Sequence, residues 1–160
     1  MTKNKRQLET ICVQGGYQAK RGDPQVMPIV QNTTYRYYNT QDVAALFDLE
    51  SGDFMYTRLG NPTLSVLENH MAELEGGTGA LSASSGQAAT LMTFLNICQN
   101  GDHIISSSSI YGGTFNLLVV SLKKMGIEVT FVDGKDSVET IVAAARPTTK
   151  AIFAETLANP

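Results

Sequence analysis

Between Asp102 and Val132 the chain reads DHIISSSSIYGGTFNLLVVSLKKMGIEVTFV, and the reading of this stretch sets the fold class. His103 to Ser106 forms a short, largely apolar run that ends in a serine-rich segment, as a buried strand does. Phe115, Leu118, Val119 and Leu122 then recur at helical spacing, and the predicted helix, Phe115 to Met125, ends at Gly126. Glu128 to Val132 reads as a second strand. A strand, a crossover helix and another strand imply a parallel sheet.

The pattern continues in both directions. Upstream, Ala80 to Ala83 is predicted as a short strand and Gln87 to Cys98 as a helix whose apolar face is Leu91, Met92 and Leu95. Downstream, Val138 to Ala145 is predicted as a helix and Ala151 to Ala154 as a strand. Further upstream, Asn61-Pro62 is an N-cap and first-turn pair, and Leu64, Leu67, Met71 and Leu74 mark an amphipathic helix closing at Gly76-Gly77. Before it, Gly15-Gly16, Gly22-Asp23-Pro24 and Pro28 punctuate an irregular stretch in which only Asp42 to Leu49 looks helical. Residues 1–60 are therefore expected to form an arm, and residues 61–160 the first part of a sheet-containing domain.

The 160 residues and their 42% apolar share are enough for one core. A net charge of −3, with no basic run longer than Lys123-Lys124, argues against a nucleic-acid partner. The longest aliphatic stretch, Leu117 to Val120, is far short of the ~20 residues of a membrane span, and the polar N-terminus leads into no apolar signal core, so a cytoplasmic protein is expected. Cys12 and Cys98 lie apart in sequence and are expected to be buried free thiols. His70 and His103 have no second ligand at metal spacing, so structural roles are expected for both and no metal site is predicted.

Four segments carry candidate chemistry. Ser84-Ser85-Gly86-Gln87, between a strand and a helix, fits either an ordinary helix cap or a phosphate seat on free N–H groups. It lacks the three-glycine dinucleotide fingerprint. Tyr56-Thr57-Arg58 offers a phenol and a guanidinium fork suited to phosphate oxygens, or simply a surface pair. Tyr111-Gly112-Gly113-Thr114 is a turn, or a place where a tyrosine lies flat on an aromatic ligand. Glu155-Thr156-Leu157-Ala158-Asn159-Pro160 alone is only a turn signal.

In this order and at these separations, the four segments resemble the transsulfuration family of pyridoxal-phosphate enzymes, which includes cystathionine synthases and lyases, methionine gamma-lyases and acylhomoserine sulfhydrylases. Tyr56 to Thr63, Ser85 to Ala89 and Ile110 to Leu117 look most like the bacterial O-acetylhomoserine sulfhydrylase branch. Lyase members commonly have methionine where Gln87 stands. The resemblance implies an α/β fold of the aspartate aminotransferase type, fold type I, with a mostly parallel sheet flanked by helices and an irregular N-terminal arm.

By the same resemblance, the cofactor is pyridoxal 5′-phosphate. Its phosphate is expected at Ser85 and the backbone of Gly86 and Gln87, its ring against Tyr111 and its phenolic oxygen near Asn159. Tyr56 and Arg58 are expected to reach the phosphate of a neighbouring subunit, which implies a homodimer or homotetramer, and Tyr111 and Tyr56 are the catalytic candidates. The implied reaction is gamma-replacement, with sulfide or a thiol displacing acetate from O-acetyl-L-homoserine; the alternative within the family is gamma-elimination, as in methionine gamma-lyase, or cystathionine synthesis. The family places its cofactor-holding lysine beyond Asn159-Pro160, and Lys150 precedes a strand on the wrong side of that motif, so the chain is expected to be an N-terminal portion inactive by itself.

Overall fold

The computed structural model of the chain describes residues 6–159. It divides into two compact units, Met1–Ser82 and Ala83–Pro160.

In the first unit, three helices are strung along irregular chain: α1 (Leu8–Gln14), α2 (Thr40–Phe47) and α3 (Pro62–Glu75). α1 falls where an irregular stretch was expected, because its 7 residues, about two helical turns, are too few to carry a clear periodic signal. It is held by tertiary partners: His70 Nε2 lies 2.8 Å from Ile11 O, and Arg6 pairs with Glu73 at 2.5 Å. α2 starts two residues earlier than predicted, where Asn39 Oδ1 accepts the Asp42 N–H at 2.8 Å. The bounds of α3 match the prediction, with Asn61 accepting the Thr63 N–H, Pro62 in the first turn and Gly76 closing the helix in the left-handed region (φ 65°), but Leu64, Leu67 and Met71 of its predicted apolar face are exposed.

The irregular chain is strapped to the start of α3. Asn61 Nδ2 donates to Val30 O at 3.0 Å, and Thr63 Oγ1 accepts the Val30 N–H at 2.9 Å and donates to Pro28 O at 3.2 Å. Residues 80–83 do not form the predicted strand. A strand requires a ladder partner, and here the Ser82 N–H and hydroxyl both donate to Glu68 Oε1, at 2.8 and 2.7 Å.

The second unit holds α4 (Gly86–Ile97), β1 (His103–Ser107), α5 (Gly112–Asn116), β2 (Glu128–Val132), α6 (Val138–Ala143) and β3 (Thr149–Phe153). Its sheet is parallel throughout, in the order β2-β1-β3. β1 is central and all five of its residues are buried, as a parallel strand covered on both faces must be. Phe94, Cys98, Ile104, Ile110, Leu118, Leu122 and Ile127 form the core, and Phe94 meets Phe153 edge-on at 5.4 Å. The face α4 buries is Leu91, Phe94 and Cys98; Met92 and Leu95, expected there, are exposed. The predicted 115–125 helix is α5 running into a π-helical stretch, Leu117–Leu122. Leu118 and Leu122 stay on one fully buried side of it.

Cys98 is buried as expected, and burial, with Asp102 nearby, raises its thiol pKa; Cys12 is exposed, contrary to expectation. None of the helices among the described residues is long and apolar enough to cross a membrane. Phe94 is 2% exposed. Phe94→Ala is expected to lower stability by about 3–5 kcal/mol, read from denaturant unfolding.

His103 is structural, as expected, and ties the sheet together. Only 1% of it is exposed, with Nδ1 2.7 Å from Thr149 Oγ1 on β3 and Nε2 2.8 Å from Thr130 Oγ1 on β2. Burial, and then the charge of Arg146, lower its pKa, against a smaller opposing effect of Glu128. The unfolded chain therefore takes up the proton first on acidification. Stability falls as pH drops below the ordinary imidazole value of about 6.5 and stops falling once the folded histidine has also titrated. His103→Gln, which stays neutral, is expected to lack this component of the melting temperature's pH dependence.

Candidate functional site

Three of the four sequence segments meet in the second unit. Ser85 stands extended at the N-cap of α4 (φ −162°, ψ 159°), and its Oγ accepts the Ala88 N–H at 3.1 Å. Its carbonyl accepts the Ala89 N–H at 3.0 Å. The serine is a cap, and the N–H groups of Gly86 and Gln87 have no acceptor among the described residues. Two open donors at the positive end of a 12-residue helix suit an anionic group.

The side chain of Gln87 turns to the next segment, where Nε2 donates to the Thr114 hydroxyl at 3.2 Å. Thr114 is buried in the first turn of α5. Tyr111 precedes that turn, and its N–H donates to Glu155 Oε2, at the end of β3, at 3.0 Å. Its ring is 47% exposed and lies back over Gly113, where an added Cβ would come within 3.1 Å of the ring Cζ. Glycine at that position is what permits this ring placement. Asn159 lies further along the segment that Glu155 begins, and is exposed.

The fourth segment belongs to the first unit. Tyr56 pairs with Thr34 in an isolated antiparallel bridge, and the Thr57 N–H donates to Thr33 O at 2.9 Å. The turn that follows carries Arg58, which is exposed, with Cζ 4.8 Å from the centre of the Tyr56 ring. A guanidinium stacked on a tyrosine keeps its donor edge available while its face is occupied.

Sequence reasoning singled out Ser85, Gly86, Gln87, Tyr111 and Asn159 but gave no role to Glu155 or Thr114, although it quoted both in their segments. Their bonds join residues 44 and 27 apart, and no local pattern encodes such pairs. The usable signal is topological: in a parallel sheet, the segments leaving the carboxyl ends of the strands emerge at one edge, where ligands bind.

The sequence pattern of the Cys/Met metabolism PLP-dependent enzymes matches residues 9–160. The chain is 45% identical to the O-acetyl-L-homoserine sulfhydrylase of Leptospira meyeri over 156 residues, which are 95% of this chain and 34% of that protein. It is 37% identical over 160 residues to the L-methionine gamma-lyase of Fusobacterium nucleatum subsp. polymorphum, covering 100% of this chain and 40% of that one. It therefore spans about a third of the length of the curated relatives it matches. Among solved structures, a Campylobacter jejuni protein described as an O-acetylhomoserine (thiol)-lyase superposes with a TM-score of 0.88 at 37% identity, over 96% of this chain and 37% of that one; it carries an N′-pyridoxyl-lysine-5′-monophosphate. The fold is that of the fold type I PLP-dependent enzymes, and the chain belongs to the Cys/Met metabolism PLP-dependent enzyme family.

Proposed function

We propose that the chain is the N-terminal part of a cytoplasmic enzyme that converts O-acetyl-L-homoserine and hydrogen sulfide to L-homocysteine and acetic acid, a gamma-replacement of methionine biosynthesis. The observation that carries the reading is the pair of open N–H donors at Gly86 and Gln87, with the Tyr111 and Glu155 segments bonded into the same unit. The 45% identity to a named sulfhydrylase supports the choice of reaction.

The residues fit pyridoxal phosphate. A phosphate takes the two open donors of α4, with Ser85 already committed to capping and Gln87 contributing only its backbone. The half-exposed Tyr111 ring offers its face to a flat heteroaromatic, and Asn159 supplies an amide donor for a ring oxygen. Bound there, pyridoxal phosphate supplies an electron sink for carbanion chemistry on an amino acid. The hydroxyls of Tyr111 and Tyr56 are the groups we assign to proton exchange with substrate at their Oη atoms. In this reading residues 1–60 act as an arm: Tyr56 and Arg58 serve the phosphate of a neighbouring subunit, and the working assembly is a homodimer or homotetramer.

Gamma-elimination is the second reading, favoured by the 37% identity to a methionine gamma-lyase across all 160 residues. Gln87 weighs against it. Its amide makes the bond to Thr114 that the methionine common in lyases cannot make.

In the complete protein supplied with pyridoxal phosphate, O-acetyl-L-homoserine and sulfide are expected to yield homocysteine. Hydrolytic turnover of L-methionine to methanethiol, 2-oxobutanoate and ammonia, with no homocysteine formed, would reverse the two readings. Arg58→Ala is expected to weaken cofactor retention by about 1.5–3 kcal/mol, the value of a charge-assisted bond, measured by equilibrium dialysis. Retention equal to wild type would remove Arg58 from the phosphate site.

A further inference from the structure

Beyond the residues assigned above, one carboxylate sits between two of them. Glu155 is half-buried at the end of β3, and the bond from the Tyr111 N–H crosses 44 residues of sequence to reach it. Tyr111 is extended at φ −53°, ψ 130°, in the last residue before α5, where its N–H has no place in the helical ladder. Upstream, Ile110 is buried and fixes one side of the residue; downstream, the Tyr111 carbonyl accepts the Phe115 N–H at 3.0 Å. The N–H is the remaining backbone group, and a carboxylate takes it. The same carboxylate anchors the start of the segment that leads to Asn159, whose next residues, Thr156 and Leu157, are exposed.

We infer that Glu155 is a positioning residue: by gripping the Tyr111 backbone it holds the aromatic ring and the Asn159 segment in register at one ligand site. The ring itself has little else to hold it, since it is half exposed and rests on Gly113, which has no side chain. Gln87 also bonds to Thr114 in the same turn, so the two bonds together connect the start of α4, the start of α5 and the end of β3. A bond to an ionised acceptor is stronger than a neutral one, which suits a contact that must align two segments without surrounding core. The inference that this alignment serves a cofactor rests on the reading given above.

The test uses the complete protein and the variants Glu155→Ala, Glu155→Gln and Glu155→Asp. Exchange of the Tyr111 amide proton is followed without pyridoxal phosphate, and the dissociation constant for pyridoxal phosphate is measured separately. Loss of an acceptor of this strength is expected to speed Tyr111 exchange about tenfold or more in Glu155→Ala. Glu155→Gln, which keeps an acceptor oxygen at the same reach, is expected to restore most of the protection and most of the cofactor affinity. The shorter Glu155→Asp is expected to restore neither, and this Gln-against-Asp contrast decides the matter if the alanine variant does not fold. Unchanged exchange in Glu155→Ala or Glu155→Asp overturns the grip, and faster exchange with unchanged cofactor affinity overturns the positioning role. A wild-type protein that does not bind pyridoxal phosphate defeats the cofactor reading instead, and the exchange rates alone then judge the grip on Tyr111.

Discussion

The parallel pairing of β1 with both β2 and β3 is the constraint on which the second unit depends. β1 buries five consecutive residues, so its backbone groups have no water to turn to and must be satisfied by ladders on either side. Running all three strands the same way sends the segments after Ser107 and Phe153 out at the same edge, and this brings Tyr111 within bonding distance of Glu155. At the other end, His103 reaches across β1 to a threonine on each neighbour. The strand is thus clamped by side chains at its entry and by its ladders along its length. Function, on this account, is a consequence of strand direction before it is a consequence of any particular residue.

Two kinds of bond then build the site on that edge. Local ones set the ends of the helices: Ser85 captures the Ala88 N–H, leaving the donors of Gly86 and Gln87 open. Distant ones, from Gln87 to Thr114 and from Tyr111 to Glu155, tie the helix starts to one another and to β3. In the first unit the same division holds. Asn61 caps α3 locally and through its amide also holds Val30, so the turn bearing Arg58 leaves from a fixed root. Arg58 itself stays exposed, stacked on the Tyr56 ring.

Most of the framework was legible in the sequence where local physics decides it. The Asn61-Pro62 start and Gly76 stop of α3, the strand at Glu128–Val132 and the buried pair Leu118 and Leu122 all follow from caps and periodicity. The misreadings have a common cause in tertiary partners. Ala80 to Ala83 lies where the alternation of strand and helix expects a strand, but the Glu68 carboxylate takes the Ser82 donors; α1 is too short to show a clear period and is held by His70 and Arg6. On α4 the sequence offers more apolar residues than one face can bury, and only the position of the sheet selects Phe94 over Met92 and Leu95. The candidate site divided the same way: the motif residues were named through the family resemblance of their segments, each of which alone reads as a cap, a surface pair or a turn, whereas Glu155 and Thr114 acquire meaning only once strands far apart in sequence are adjacent.

The central claim is that the open start of α4 receives the phosphate of the cofactor. The most direct measurement is a titration of ¹⁵N-labelled protein with pyridoxal 5′-phosphate, following backbone amide resonances. The account predicts saturable shifts at Gly86 and Gln87 together with Tyr111, reproduced at the first two by inorganic phosphate alone at higher concentration. Saturation of the protein with those three amides unmoved, and shifts confined to residues beside lysines such as Lys123 and Lys124, would contradict it.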